Sequence, residues 1–542
     1  MLNTLRRLWN GETEHVTTAA IIVSVASLVA QLTALVRERI LASTFGAGDV
    51  LDVYYAAFKI PDFLYNLVIL GALSAAFIPV FTEYLVTKEK KAAWELAGQV
   101  LSVIMIAMCI GCAAIFFAAP KIVPFIAPGF VGEKLRLTIM MTRIMIGSTF
   151  MLALSAVMGG ILQSTRRFFV FSVAPVLYNI GIIFGALCFV PLVGPIGLGL
   201  GVVLGAVLHF LAQASVALRL GLRKIPWPSF KPEGVRRILK LMAPRTLGLA
   251  VTQINLTIIL ALASALTVGS VAVLNFAMNL ESVPLSIFGI PFALAAFPAM
   301  SRAFGKKDEK EFLEVFGGAV RKVIFFIVPS AVGLIMLRAQ AVRLVLGSGE
   351  FDWTATIRTA DALAIFALSL PAQSITPLLS RAFYAMQKTW TPLWIGLISE
   401  ATCVVFAFLL VRPYGLEGLI SAYSIAAWVG MILSWIVLRA IRGQLGTRRV
   451  WISFLRTLTA SFIMAGAIIP VRNFIGTIYP LKYVWQLSIQ TIASILVGLV
   501  VFTLSMRLMK SPELSEFQRA FISKMFKRGP AVSEGAEAAR GV

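Results

Sequence analysis

Long apolar runs, separated by short polar gaps, recur along almost the whole chain. An α-helix rises about 1.5 Å per residue, so a hydrocarbon core about 30 Å thick needs ~20 consecutive apolar residues. Windows of that kind fall at roughly 17–44, 50–83, 94–119, 136–163, 168–190, 195–219, 238–264, 269–301, 315–345, 357–386, 391–411, 416–439, 452–472 and 483–508. The pattern predicts an all-α polytopic membrane protein of about fourteen transmembrane helices. The first window runs from beyond Arg7 into Arg37-Glu38-Arg39 without a small-residue cleavage site. It therefore reads as a retained span and not as a cleaved leader. From Ser511 the chain turns polar, the pattern of a short interfacial helix followed by a disordered end.

The apolar pattern also repeats. Residues 51–84 (LDVYYAAFKIPDFLYNL…LSAAFIPVF) match 271–304 (VAVLNFAMNLESVPLSI…ALAAFPAMSRAF) at an offset of about 220 residues, or roughly six spans. Repeats in the same orientation predict two six-span lobes related by an axis along the membrane normal. The boundaries are 1–225 for the first lobe, 226–445 for the second, 446–510 for two additional spans and 511–542 for a polar cytoplasmic tail.

Composition supports the membrane reading: 59% of residues are hydrophobic and 13% charged, and the mean hydropathy is +0.89. Soluble domains have about a quarter of their residues charged. The formal net charge of +23 would suggest nucleic acid in a soluble protein. Here the cations sit in alternate gaps, such as Lys88/Lys90/Lys91, Arg166/Arg167, Arg302/Lys306/Lys307/Lys310 and Arg439/Arg442/Arg448/Arg449. Such alternation orients a membrane protein and predicts both termini on the cytoplasmic side, with no nucleic-acid partner. The four cysteines fall inside apolar runs and the two histidines are isolated, so no metal site is expected. The nucleotide loop G-x-x-x-x-G-K-[ST] is absent, as are H-E-x-x-H and G-x-S-x-G. An embedded glycan transferase would need a long outer loop, and the outer loops are short. The chain is therefore expected to be no enzyme and to hold no cofactor.

Ionisable groups inside apolar spans are costly and usually face a cavity or one another. The first two spans are richest, with Arg37, Glu38 and Arg39 in one and Asp52, Lys59 and Asp62 in the other. On a helix Asp52, Tyr55, Lys59, Asp62 and Asn66 form one stripe, interrupted by Pro61. Span 8 repeats it with Asn275, Asn279, Ser282 and Ser286. Two polar stripes at matching positions predict a shared cavity lined by Arg37, Glu38, Arg39, Asp52, Lys59, Asp62, Asn66, Asn279 and Ser282. Arg37 and Arg39 lie on nearly opposite faces, so one of the two is expected to face that cavity. Glu400, with Asn255 and Thr252 as partners, is a candidate cation or proton site.

The stretches VRERILASTFGAGDVLDVYYAAFKIPD (36–62) and GALSAAFIPVFTEYL (71–85) resemble the MurJ/MviN family, the lipid II flippases of the MOP exporter superfamily. APGF (127–130), GGILQSTRRF (159–168), APVLYNIG (174–181) and SRAFYAMQKTWTP (380–392) extend the resemblance over the first twelve spans. The resemblance implies a central cavity between rocking lobes, and a groove formed by spans 13 and 14 for a polyprenyl tail. By match, Arg37 and Glu38 occupy the family's Arg-Asp pair, and Asp52 and Lys59 its acid and base in span 2. Where the family carries further cavity arginines, this chain has Gln31, Tyr65 and Asn279.

The expected activity is flipping of a polyprenyl-pyrophosphate-linked cell-wall precursor from the inner to the outer leaflet. Arg37 and Lys59 are expected to meet phosphate, with Asn66, Asn279 and Ser282 at sugar or peptide. Export of another lipid-linked glycan, or cation-coupled export of a small molecule, is the alternative. The expected energy source is a coupling cation (Na+ or H+) or the membrane potential, worth about 2.3 kcal/mol per charge per 100 mV.

Overall fold

The computed structural model describes residues 16–67, 76–88, 90–222, 224–443, 445–479 and 483–526. Among the described residues the regular structure is entirely helical. The chain's start through His15 and the expected disordered end of the tail lie outside them.

The helices are α1 (Val16–Phe45), α2 (Asp49–Tyr65), α3 (Ile78–Thr87), α4 (Lys90–Ile126), α5 (Gly132–Ser164), α6 (Phe168–Phe184), α7 (Ile196–Leu220), α8 (Glu233–Ser264), α9 (Ser270–Pro284) and α10 (Ile290–Gly305). They continue with α11 (Glu309–Met336), α12 (Arg338–Leu346), α13 (Trp353–Ala385), α14 (Trp390–Arg442), α15 (Thr447–Ile478), α16 (Val484–Leu508) and α17 (Pro512–Phe526). Ten helical stretches among the described residues are long and apolar enough to cross a membrane. One of them, α14, turns back on itself at Gly415, whose φ of 56° suits a residue without a Cβ. Ser399 donates to the Ala426 carbonyl across that turn, so the two arms run side by side. The windows expected at 391–411 and 416–439 are these two arms.

Two compact units divide the chain. The first is Met1–Val283 with Arg338–Ser369 and Thr389–Ser434. Its core stacks Phe77 on Phe81 between α4 and α5, with Leu101, Met108, Val157 and Ile161 around them. Between α6 and α7 the backbones nearly touch: a Cβ on Gly181 would lie 2.2 Å from the Gly205 Cα, and one on Gly185 would lie 2.4 Å from the Gly201 Cα. Small residues at such seams allow van der Waals packing where lipid removes the hydrophobic drive. A π-helical segment, Gly185–Phe189, widens α6 at this seam.

The second unit is Pro284–Leu337 with Leu370–Lys388 and Trp435–Val542. Phe325, Met464, Ile468, Phe502 and Met506 form its core, joining α11 to α15 and α16. The amphipathic α17 docks on α11 through Arg321–Glu513 (3.4 Å), Lys322–Glu516 (3.2 Å) and an edge contact of Phe326 with Phe517. Ordered packing, and not only an interfacial position, holds this part of the tail.

Several polar side chains inside the spans are satisfied locally. Thr138, Thr142, Thr457 and Ser461 each donate to the carbonyl four residues back. Large apolar side chains such as Phe117, Leu192, Phe462 and Leu496 are left exposed on helix surfaces, as a lipid-facing surface requires.

A buried charged cluster and a carboxylate latch

Arg37 stands on α1 and reaches two partners. Its Nη1 donates to Asn179 Oδ1 at 2.8 Å, and its Nη2 pairs with Glu38 Oε1 at 2.5 Å. Its Nε is buried without a hydrogen-bond partner among the described residues. Glu38, 4% exposed, accepts a second bond from the Tyr55 hydroxyl at 2.6 Å. Asn179 on α6 also donates to the Ala30 carbonyl, so it fixes α1 while it holds the guanidinium.

About two helical turns along α2 from Tyr55, Asp62 lies within electrostatic range of both Lys59 and Arg37. Tyr54, Tyr65 and Tyr178 share this field. Two cations, two carboxylates and four tyrosines are thus gathered on α1, α2 and α6. Charge is balanced and each group sits where burial strengthens its interactions. Such a cluster can release a cation to an incoming anion, because each carboxylate offers its cation a resting partner.

The structure brings together Arg37, Glu38, Lys59 and Asp62 of the residues singled out by sequence. It places others elsewhere. Arg39 turns away and donates to the Leu344 carbonyl at 2.6 Å, which fits the opposite facing of Arg37 and Arg39. Asp52, 2% exposed, accepts from the amides of Gly269 (2.8 Å) and Ala272 (2.9 Å) and from Lys134 Nζ (2.9 Å). A carboxylate there satisfies the free amides at the start of α9 and complements its dipole. Asn66 follows the last α-helical residue of α2, where the backbone turns π-helical. Asn279 is exposed, and Ser282 donates to the Asn279 carbonyl of its own helix.

Around Asp52 the connecting segments knit into a latch. Lys134 also reaches Asp49 at 2.6 Å and lies over the Phe130 ring. Arg358 donates to the Val268 carbonyl and to the hydroxyls of Thr267 and Ser270. The Glu350 amide donates to the Ser43 carbonyl at 2.9 Å. Gly349, at φ 56°, passes so close that a Cβ would lie 2.2 Å from the Ser43 oxygen.

Glu400 on α14 accepts from Asn255 Nδ2 on α8, and Thr252 on the same helix lies close enough to influence it. Asn255 Oδ1 is buried and lacks a hydrogen-bond partner among the described residues. A carboxylate beside an unsatisfied carbonyl oxygen is a donor set suited to a hard cation.

Sequence reasoning missed Asn179, Tyr178 and Lys134 as participants. The first two lie inside APVLYNIG, so the motif pointed to them without saying what they touch. Among the described residues no group of three or more His, Cys, Asp and Glu is placed to hold a metal.

Solved structures of helical membrane transporters share this fold. One titled as an inward-facing multidrug resistance MATE family transporter of the MOP superfamily superposes with a TM-score of 0.65 at 20% identity, covering 79% of this chain and 99% of that one. A structure of lipid II flippase MurJ in an inward closed conformation gives a TM-score of 0.75 at 24% identity, covering 90% of this chain and 99% of that one. The family model of lipid II flippase MurJ matches residues 41–489, and the chain belongs to that family. A probable lipid II flippase MurJ of Rickettsia prowazekii (strain Madrid E) is 30% identical over 426 residues, 77% of this chain and 83% of its own length. A lipid II flippase MurJ of Burkholderia cenocepacia is 28% identical over 462 residues, 83% of this chain and 88% of its own. The protein is accordingly a multi-pass protein of the bacterial inner membrane.

Proposed function

We propose that this protein flips lipid II, the polyprenyl-pyrophosphate-linked peptidoglycan precursor, from the inner to the outer leaflet by alternating access. Membership of the flippase family supports the cargo. The single observation that carries the mechanism is the Arg37–Glu38–Lys59–Asp62 cluster with the Arg37 Nε left unpaired among the described residues. Pyrophosphate displaces Glu38 from the guanidinium fork and draws the Lys59 ammonium out of the field of Asp62, and the carboxylates take the cations back when the cargo leaves. This exchange lets a nearly neutral site bind an anion and release it. In this reading the lobes are 1–225 and 226–445, fourteen spans cross the bilayer, and both termini are cytoplasmic. Residues 446–510 hold the polyprenyl tail.

Complementation tests this directly. Expressed in a bacterium depleted of its own lipid II flippase, the parent is expected to restore growth. Arg37→Ala and Lys59→Ala, at equal membrane abundance, are each expected to lose about ten- to a hundredfold in flipping, the worth of one charged hydrogen bond. Rescue by both variants would remove the cluster from the transport path. Failure of a stably inserted parent in several hosts would point to a different lipid-linked cargo.

Glu400, Asn255 and Thr252 form the proposed site for a coupling cation. The Asn255 oxygen without a partner supports that placement. Na+ is expected to raise the thermal unfolding midpoint of the parent, and Glu400→Gln to abolish the rise, since bound ligand stabilises by mass action. A parent that shows no Na+ response and no dependence of flipping on either ion gradient rules out this coupling.

A further inference from the structure

We propose that a cavity at the cation-rich ends of α11, α14 and α15 holds the phosphodiester headgroup of an anionic membrane lipid that is not the cargo. The cavity measures about 910 Å³ and lies wholly in the second unit. Five cations line it, Lys310, Arg321, Arg439, Arg448 and Arg449, against the carboxylates Glu309 and Glu314. One carboxylate is committed elsewhere, since Glu309 approaches Arg442 at 4.0 Å. Arg321 is already paired with Glu513. Lys310, Arg439, Arg448 and Arg449 have no ion pair among the described residues.

Charges that only orient a membrane protein need no common focus, because topology depends on how many lie on each side. These four come from three helix ends and converge on one concavity. Lys310 is in the first turn of α11, Arg439 in the last turn of α14, and Arg448 and Arg449 in the first turn of α15. Gly446, at φ 62°, makes the reversal that brings the last two back toward Arg439. Like charges gathered this closely repel, and a bound anion relieves the repulsion. Guanidinium forks match the paired oxygens of a phosphodiester.

The lining and its surroundings favour a lipid over a solute. Trp451, 57% exposed, sits two residues beyond Arg449, the position of an aromatic at headgroup level. Leu313 and Leu445 line the same cavity and offer an apolar surface to the start of an acyl chain. Basic pockets between helices on the cytoplasmic side suit anionic headgroups. The inference rests on the proposed sidedness and shares no residue with the Arg37–Lys59 cluster.

Full-length protein, purified in mild detergent and stripped of lipid, is titrated with phosphatidylglycerol or phosphatidylcholine. Bound lipid is counted by native mass spectrometry. The parent is expected to hold phosphatidylglycerol about tenfold more tightly. Arg439→Gln/Arg448→Gln/Arg449→Gln is expected to lose that preference, whereas Lys88→Gln/Lys90→Gln/Lys91→Gln, with the same change in charge on another loop, keeps it. Arg448→Gln alone alters one exposed side chain and is expected to weaken binding about fivefold, so a poorly folded triple variant leaves the test intact. Equal preference in the parent and the Arg448→Gln variant overturns the proposal, as does equal loss in the lysine control. Displacement of the lipid by equimolar inorganic phosphate would assign the cavity to free phosphate instead; persistence of the lipid supports the headgroup. Flipping is not the readout, so a negative result here leaves the transport reading standing.

Discussion

Asp52→Ala is expected to destabilise the protein by about 3–5 kcal/mol, the cost of breaking a buried charged network from one side. The carboxylate is 2% exposed and accepts three hydrogen bonds, two of them from backbone amides at the start of α9. Alanine leaves both amides buried without acceptors, each worth about 1–3 kcal/mol. It also leaves Lys134 with the exposed Asp49 as its remaining anion. Asp52→Asn keeps one oxygen but turns an NH2 group toward a donor, so its loss is expected to be smaller but in the same direction. Lys134→Met is expected to cost least, because Asp52 keeps both amides. Thermal unfolding of purified protein, read as loss of helical signal, ranks the three. An unchanged midpoint for Asp52→Ala would show that the latch does not hold the fold. A ranking with Lys134→Met worst would move its weight from the amides to the ion pair.

The second large effect concerns Glu38. Glu38→Ala leaves a guanidinium inside the protein with Asn179 as its sole hydrogen-bond partner among the described residues, and it strips the Tyr55 hydroxyl of its acceptor. The expected loss is about 3–5 kcal/mol. Arg37→Leu alone leaves the opposite charge stranded and is expected to cost a similar amount. The double variant Arg37→Leu/Glu38→Ala strands neither charge, so it is expected to be more stable than either single variant. A double-mutant cycle on unfolding midpoints measures the coupling, expected at about 1–3 kcal/mol for residues in one network. Strict additivity would mean that the short contact carries little energy. All three variants are expected to fail in complementation, since stability and anion exchange use the same pair in different ways.

Much of the transport cluster is legible in the amino-acid sequence. Arg37, Glu38, Lys59 and Asp62 stand out because a charge inside an apolar helix needs a reason. Helical spacing places Lys59 and Asp62 on one face of α2. The same spacing groups Asp52 with them, and there it misleads. Periodicity fixes the direction in which a side chain points, not its depth, and Asp52 and Asp62 stand about 15 Å apart along the helix axis. Asp52 therefore serves the start of α9, while Asp62 serves the cluster. Asn279 and Ser282 repeat the polar spacing, yet the Ser282 hydroxyl bonds to its own helix, an outlet always open to such a residue.

The amino-acid sequence alone determined that the chain is helical and embedded, because a bilayer offers no water to backbone amides and helices satisfy them internally. It also determined where most helices begin and end, through the lengths of the apolar runs and the cations between them. Tertiary structure decided which charges meet. Asn179 reaches Arg37 from 142 residues away, Lys134 reaches Asp52 from 82, and the Gly269 amide reaches it from 217. Those pairings depend on how helices pack, and packing follows the shapes of many side chains at once, not a period in the chain. For the same reason it was packing that gathered Lys310, Arg439, Arg448 and Arg449 around one cavity, where the sequence shows two separate basic loops like the others.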